Sequence, residues 1–156
     1  MKMYAVLIAV AVLPLSAAAW GQQTMDRSPM QGMAAAPDTR ELLKLSPATV
    51  DALRADMRNM TAALNDVLQL LAADQRAEAA KRLEEGLGVT AMSTHPGMMK
   101  ASQEMPEAAR MLGMGAHKAA SELAAGLQDA KPAVVYSGLQ RVVAGCAACH
   151  AAYRVR

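Results

Sequence analysis

The chain has 156 residues, 53% of them hydrophobic, with 16 basic and 14 acidic side chains and a formal net charge of +2. That length suits one domain with a sizeable core rather than two ordinary domains. Charges of both signs are interspersed, which excludes the basic patch that nucleic-acid binding needs. Aromatics make up only 3% and Phe is absent, whereas Met reaches 13, so thioether side chains or a bound group must fill the volume that rings would otherwise occupy.

The chain begins with a basic residue at Lys2, the apolar run MYAVLIAVAVLPL and then the small residues SAAA. This is the layout of a secretory signal peptide. Cleavage after Ala19 or Gly21 suits the small-residue rule, and the second gives a signal peptide over 1–21. An uncleaved anchor is the rival reading, but the run is short for a bilayer span and Pro14 interrupts it. No later segment is apolar for long enough to span a bilayer, so a soluble periplasmic protein without a membrane span after signal cleavage is expected. Residues 22–38 show no periodicity and mix Gln, Ser, Pro and Gly, the composition of a flexible tether. The folded domain is expected over 39–156.

From Arg40 onward the pattern is helical. TRELLKL reads as a short turn of helix. Ser46 and Pro47 supply an N-cap and a first helical position, and Val50, Leu53, Met57, Met60, Leu64, Val67 and Leu71 recur at three-four spacing, predicting a first helix to about Ala73. Asp74 is the expected cap of a second helix, with Ala77, Ala80, Leu83 and Leu87 inward and Gly86 or Gly88 at its end. GVTAMSTHPGMMKASQ reads as a loop. A third helix starts near Met105 or Pro106, buries Leu112, Ala116, Ala119, Leu123 and Leu127, and stops before Pro132, which opens a fourth. The fourth carries Val135, Leu139, Val142, Cys146, Cys149, His150 and Tyr153 on its apolar side. Four amphipathic helices with mostly short connections predict an all-α, up-down-up-down four-helix bundle.

Both cysteines of the chain lie in its last eleven residues, CAACHAAYRVR. Cys146 and Cys149 are three apart and His150 is four from Cys146, so all three share one face of the fourth helix. C-x-x-C-H is the attachment sequence of c-type haem, in which two thiols add across the porphyrin vinyl groups and the imidazole binds iron. Rival readings fit less well. A redox C-x-x-C belongs at a helix start in a βαβ pattern. Structural zinc needs four N or S ligands, and His95 and His117 lie in other segments. An ordinary disulfide or two buried thiols would leave His150 incidental. His95 with Met92, Met98 and Met99 resembles a soft-ligand cluster for Cu(I), for which loop and core filler are the plainer explanations. His117 reads as a helix-surface or haem-edge residue, and Tyr153 and Arg154 as residues that pack over and cap the helix end.

CAACHAAYR is similar to the C-terminal signature C-x-x-C-H-x-x-Y-R/K of class II c-type cytochromes, the cytochrome c-prime group and its low-spin relatives. Class I cytochromes c carry the motif near the N-terminus instead. The similarity covers about 40–154 as architecture, and only the terminal motif is sharp in sequence. It implies one covalently attached haem c per chain, with His150 as proximal iron ligand. In that family the first helix supplies the residue on the other haem face, a Met in low-spin members and a non-ligating residue in high-spin ones. ALRADMRNMTAAL offers Met57 and Met60. Met57 is ten residues, about 15 Å, into its helix and His150 about 8 Å from the chain end at ~1.5 Å per residue, so Met57 is the expected distal ligand and Met60 the alternative. The family often has an Arg four before the distal position, near a haem propionate. Here Arg54 is three before Met57 and Arg58 directly follows it, and each is a candidate propionate contact or a solvated charge.

The resemblance therefore implies an electron carrier, not an enzyme, serving periplasmic redox partner proteins, with pairing into a homodimer as in many class II cytochromes. The alternative is a high-spin, five-coordinate protein that binds nitric oxide or carbon monoxide, with Met57 and Met60 merely lining the pocket.

Overall fold

The computed structural model describes residues 37–156. The expected signal peptide over 1–21 and the tether over 22–38, apart from its last two residues, lie outside the described residues. The described chain is mostly helical, with five α-helices: α1 Pro47–Ala72, α2 Arg76–Leu87, α3 Pro96–Glu104, α4 Glu107–Gly126 and α5 Pro132–Ala152, and a 3-10 turn over Thr90–Ser93. Two short strands, β1 Glu41–Leu42 and β2 Tyr153–Arg154, pair in parallel. Among the described residues no helix is long and apolar enough to cross a membrane.

Local chemistry accounts for the helix boundaries. The Ser46 side chain accepts the Thr49 amide proton and Pro47 takes the first position of α1, where a missing N–H costs nothing. Pro96 and Pro132 open α3 and α5 in the same way. Asp74, the expected cap of α2, does not cap it but adopts φ 55°, and Gln75 is the cap residue. A short Asp side chain tolerates this left-handed turn, and its carboxylate there accepts from Arg76 at 3.1 Å.

Neighbouring helices run antiparallel. α1 meets α2 where Gly86 packs against Ala63 and Arg82 pairs with Asp66 at 2.8 Å. α2 meets α4 through the Leu87 carbonyl, held by His117 Nδ1 at 2.8 Å, and α4 meets α5 at Ala116 and Gly145 and through Glu122 and Arg141 at 3.0 Å. Ala63, Val67, Leu83, Leu87, Leu123, Leu127, Val135, Leu139 and Val142 belong to the apolar core, which joins the C-terminal part of α1 to α2, the second half of α4 and the first half of α5. The inward stripes differ in detail from the expected ones. In α2 Ala79 and Gly86 are buried with Leu83 and Leu87, while Ala77 is exposed; in α1 Met57, Met60, Leu64 and Leu71 are half-buried.

The Met-rich stretch expected to be a loop contains α3. Its buried residues, Gly97 and Ala101, are too small to register as an apolar stripe, and its Pro-Gly start resembles a turn. That same smallness lets α3 press on α1: a Cβ on Gly97 would collide with the Ala52 backbone. The Met98 amide donates to Asp56 at 2.8 Å and His95 Nδ1 lies 3.2 Å from the other Asp56 oxygen, both side chains being buried. The His95 contact is a close approach without the alignment of a hydrogen bond. Glu104 closes the far end of α3 by accepting from the Ser46 amide and the Thr49 hydroxyl, both at 2.7 Å, and these bonds hold its carboxyl below the ordinary value.

Asp56→Ala removes the acceptor of the Met98 amide and strands a buried imidazole, and is expected to cost about 3 kcal/mol in urea unfolding. Gly97→Ala should cost about 2 kcal/mol, because the contact beneath it is backbone and cannot turn aside. A fully native midpoint in either variant would mean that α3 is not held this way.

Candidate functional site

Beyond Val142 no residue of α5 is buried. Cys146 and His150 are exposed and Cys149 half-buried, and all three border an apolar cleft between α5, α4 and α1. The cleft has a volume of about 160 Å³ within a trough of about 800 Å³ counting its open side. Met57 and Met60 line the α1 side, and Ala109, Gly113 and Ala116 line the α4 side. A Cβ on Gly113 would meet nothing within 4 Å, so this wall is smooth and a flat group can lie against it.

Contacts between helices give the heights. Ala63 of α1 is level with Gly86 of α2; the next residue, Leu87, holds His117 of α4, and the residue before that, Ala116, is level with Gly145 of α5. Counting back from Ala63 and forward from Gly145 at ~1.5 Å per residue brings Met57 and His150 to one height within about a residue. Met60 stands about 4.5 Å lower, near the level of Cys146. Neither Arg54 nor Arg58 lines the cleft; both are exposed, and Arg54 reaches toward Asp51 at 3.9 Å.

The thiols are free, and partial desolvation raises both above the ordinary value, at Cys149 with a further contribution from Cys146. Both are therefore protonated at neutral pH. Their place near the negative end of the α5 dipole works in the same direction. A redox dithiol needs the reverse, a lowered thiol at a helix N-terminus. Among the described residues no three His, Cys, Asp or Glu side chains gather to hold a metal ion.

His117 is not on the surface. It is 3% exposed, borders the cleft, and donates from Nδ1 to the Leu87 carbonyl. The signal for it was weak, because α4 packs on both α2 and α5 and its second inward stripe, Ala109, Gly113, Ala116 and Ala120, buried or half-buried, is made of small residues. His95 sits on Asp56 and away from the cleft lining.

TRELLKL, expected to be a helical turn, instead straps the end of α5. Glu41 and Leu42 pair with Tyr153 and Arg154, and the Leu43 amide donates to the Arg154 carbonyl at 2.9 Å. Arg40 donates to the His150 carbonyl at 3.1 Å, placing a cation on one of the last carbonyls of the helix. Arg154 returns a bond to the Arg40 carbonyl at 3.1 Å, and Asp38 pairs with Arg40 at 2.9 Å and approaches Arg154 at 3.6 Å. Tyr153 and Arg154 thus act as a strand partner for the start of the domain.

No protein-family model matches the chain, and no curated protein or solved structure matches it.

The bond from Arg40 holds the Asp38 carboxyl at about 2, below its ordinary 3.8. Because the folded value is the lower one, the ion pair contributes fully above about pH 4 and is lost as pH falls through about 2. Amide exchange at Leu43 should accelerate over that window beyond the exchange of an unstructured amide. Asp38→Asn should give the same loosening at neutral pH, and unchanged Leu43 protection in that variant would remove Asp38 from the strap.

Proposed function

We propose that the protein is a monohaem class II c-type cytochrome, exported to the periplasm, that carries electrons between partner proteins and is not an enzyme. In this reading α1, α2, α4 and α5 form an up-down-up-down bundle, and α3 is an added helix braced on α1. One observation carries it: the C-x-x-C-H motif and Met57 converge, at one height, on a single apolar cleft.

The residues suit the group. Cys146 and Cys149 are free thiols three apart, as addition across two vinyl groups requires. His150 and Met57 offer a nitrogen and a thioether sulfur from facing helices, and the Ala109, Gly113, Ala116 wall accepts a planar body. When bound, haem supplies the one-electron iron couple. Met57 would hold the iron through a soft sulfur, which would favour the ferrous state and raise the potential, and with His150 and Met57 both engaged the group would supply electron transfer rather than small-molecule binding. The apolar lining excludes water from that position. The exposed turn at Cys146 and His150 lets a partner protein approach the site from the α5 side.

Visible spectra of the purified protein, oxidised and reduced, with and without Met57→Ala, test the reading. Expected are low-spin bands that remain with the chain on denaturation and a weak near-infrared sulfur-to-iron band that the variant loses. The variant's ferrous preference should drop at least about tenfold, or about 1.4 kcal/mol. High-spin bands in the unmutated protein that move on adding nitric oxide or carbon monoxide would make Met57 a pocket residue and the protein a gas binder. A chain made in haem-competent cells without a covalent chromophore would sink both readings.

A further inference from the structure

Beside the cleft lies a second, smaller chamber of about 120 Å³ between α4, α3 and the 3-10 turn, open to solvent at Met114, which is 38% exposed. Met92, Met98, Met105 and Met114 line it together with His117. We propose that this chamber is a binding site for a soft monovalent cation, Cu(I), with Met92 and Met114 as donors of its own and His117, Met98 and Met105 on the wall shared with the cleft.

The placement of methionine is the first observation. If methionine served only as filler in a chain poor in aromatics, it would be spread through the interior. Instead the buried core cluster contains Ala, Leu and Val alone, and of the methionines among the described residues Met60 alone packs against it from outside. Four thioethers border this one small chamber, contributed from three separate elements and the α3–α4 junction. Met114 and His117 are three apart on α4, the spacing that puts two side chains on one helix face.

The imidazole is the second, independent observation. Nδ1 of His117 faces a carbonyl, which can only accept, so Nδ1 carries the proton and Nε2 of the neutral ring is a lone pair. Among the described residues Nε2 has no hydrogen-bond partner, and it is not one of the fully enclosed atoms that lack one, so in a residue only 3% exposed it opens onto cavity space. A ring fixed through one nitrogen on a backbone carbonyl, with the other nitrogen free, is the arrangement that orients metal-binding histidines. Thioether and imidazole donors without a carboxylate select a soft ion over Mg²⁺ or Ca²⁺. Arg110 also borders the chamber, but it is exposed and turned toward the Ser102 carbonyl at 3.3 Å, where solvent screens its charge. The Asp56 carboxylate, bound to the Met98 amide, supplies negative charge behind the opposite wall. The sequence pointed to His95 for such a site; the fold gives His95 to Asp56 and puts His117 in its place.

The site does not need haem, and Met92 and Met114 do not line the cleft. The test is anaerobic titration of the purified full chain, as the cell makes it, with Cu(I) against a chromophoric Cu(I) chelator. Expected is one Cu(I) per chain, weakened at least a hundredfold in Met92→Leu/Met114→Leu, a volume-conserving change, and unaltered in Met99→Leu/Met111→Leu, which alters two exposed methionines outside both cavities. No stoichiometric binding, equal loss in both double variants, or full retention in the first would overturn the proposal. The visible spectrum separates it from the haem reading: Cu(I) bound in the smaller chamber leaves any sulfur-to-iron band in place, whereas loss of that band on adding Cu(I) would put the ion on the cleft methionines and overturn the assignment.

Discussion

The approach of α5 to α4 at Gly145 sets the height of everything the last helix carries. A Cβ at that position would stand 2.7 Å from the Ala116 Cβ, so only glycine lets the two helices close to this distance. Gly138, about two turns earlier in the packed half of α5, faces Leu123 in the same way. Between them these contacts leave α5 little freedom to slide, and the register passes on through His117 and Leu87 to α1. A shift by one turn would move His150 by about 5.4 Å, enough to trade Met57 for another level of α1.

The two halves of the molecule therefore do different work. Branched and small side chains fill one end, where packing is close and rotamers are fixed. At the other end flexible thioethers, a glycine wall and exposed thiols surround open space, and hydrogen bonds replace packing as the means of positioning. The strap is the clearest case. A C-terminal helix end with no buried side chain beyond Val142 would fray, but Arg40, Arg154 and a parallel strand pair tie it to the beginning of the domain. The individual surface ion pairs contribute little. The backbone bonds and the cation on the His150 carbonyl are what restrict the helix end.

Much of this was legible in the residues. The spacing of Val50, Leu53, Val67 and of Val135, Leu139, Val142 marks two buried helix faces, and C-x-x-C-H picks out the residues on which the proposed chemistry rests without any help from the fold. Small residues hid the rest. Gly97 and Ala101 bury α3 without the large apolar residues on which periodicity depends, and Ala109, Gly113 and Ala116 form a cleft wall that reads as featureless. Partners distant in sequence hid the remainder: β1 exists because Tyr153 and Arg154 lie beside it, and Asp56 is tolerated in a buried position because α3 brings the Met98 amide and His95 to it.

α3 connects these findings. By pressing Gly97 on α1 it carries Met98 to the partition between the cleft and the smaller chamber, while Glu104 anchors its far end to the start of α1. Met98 and Met105 border both cavities, and so does His117. Any group seated in the cleft therefore meets a wall whose position depends on one buried carboxylate, Asp56. Substitutions at Asp56, which lines neither cavity, act on the shape of both through the helix they release. That dependence separates residues that line the cavities from residues that hold the wall, and it assigns Asp56 and His95 to the second group.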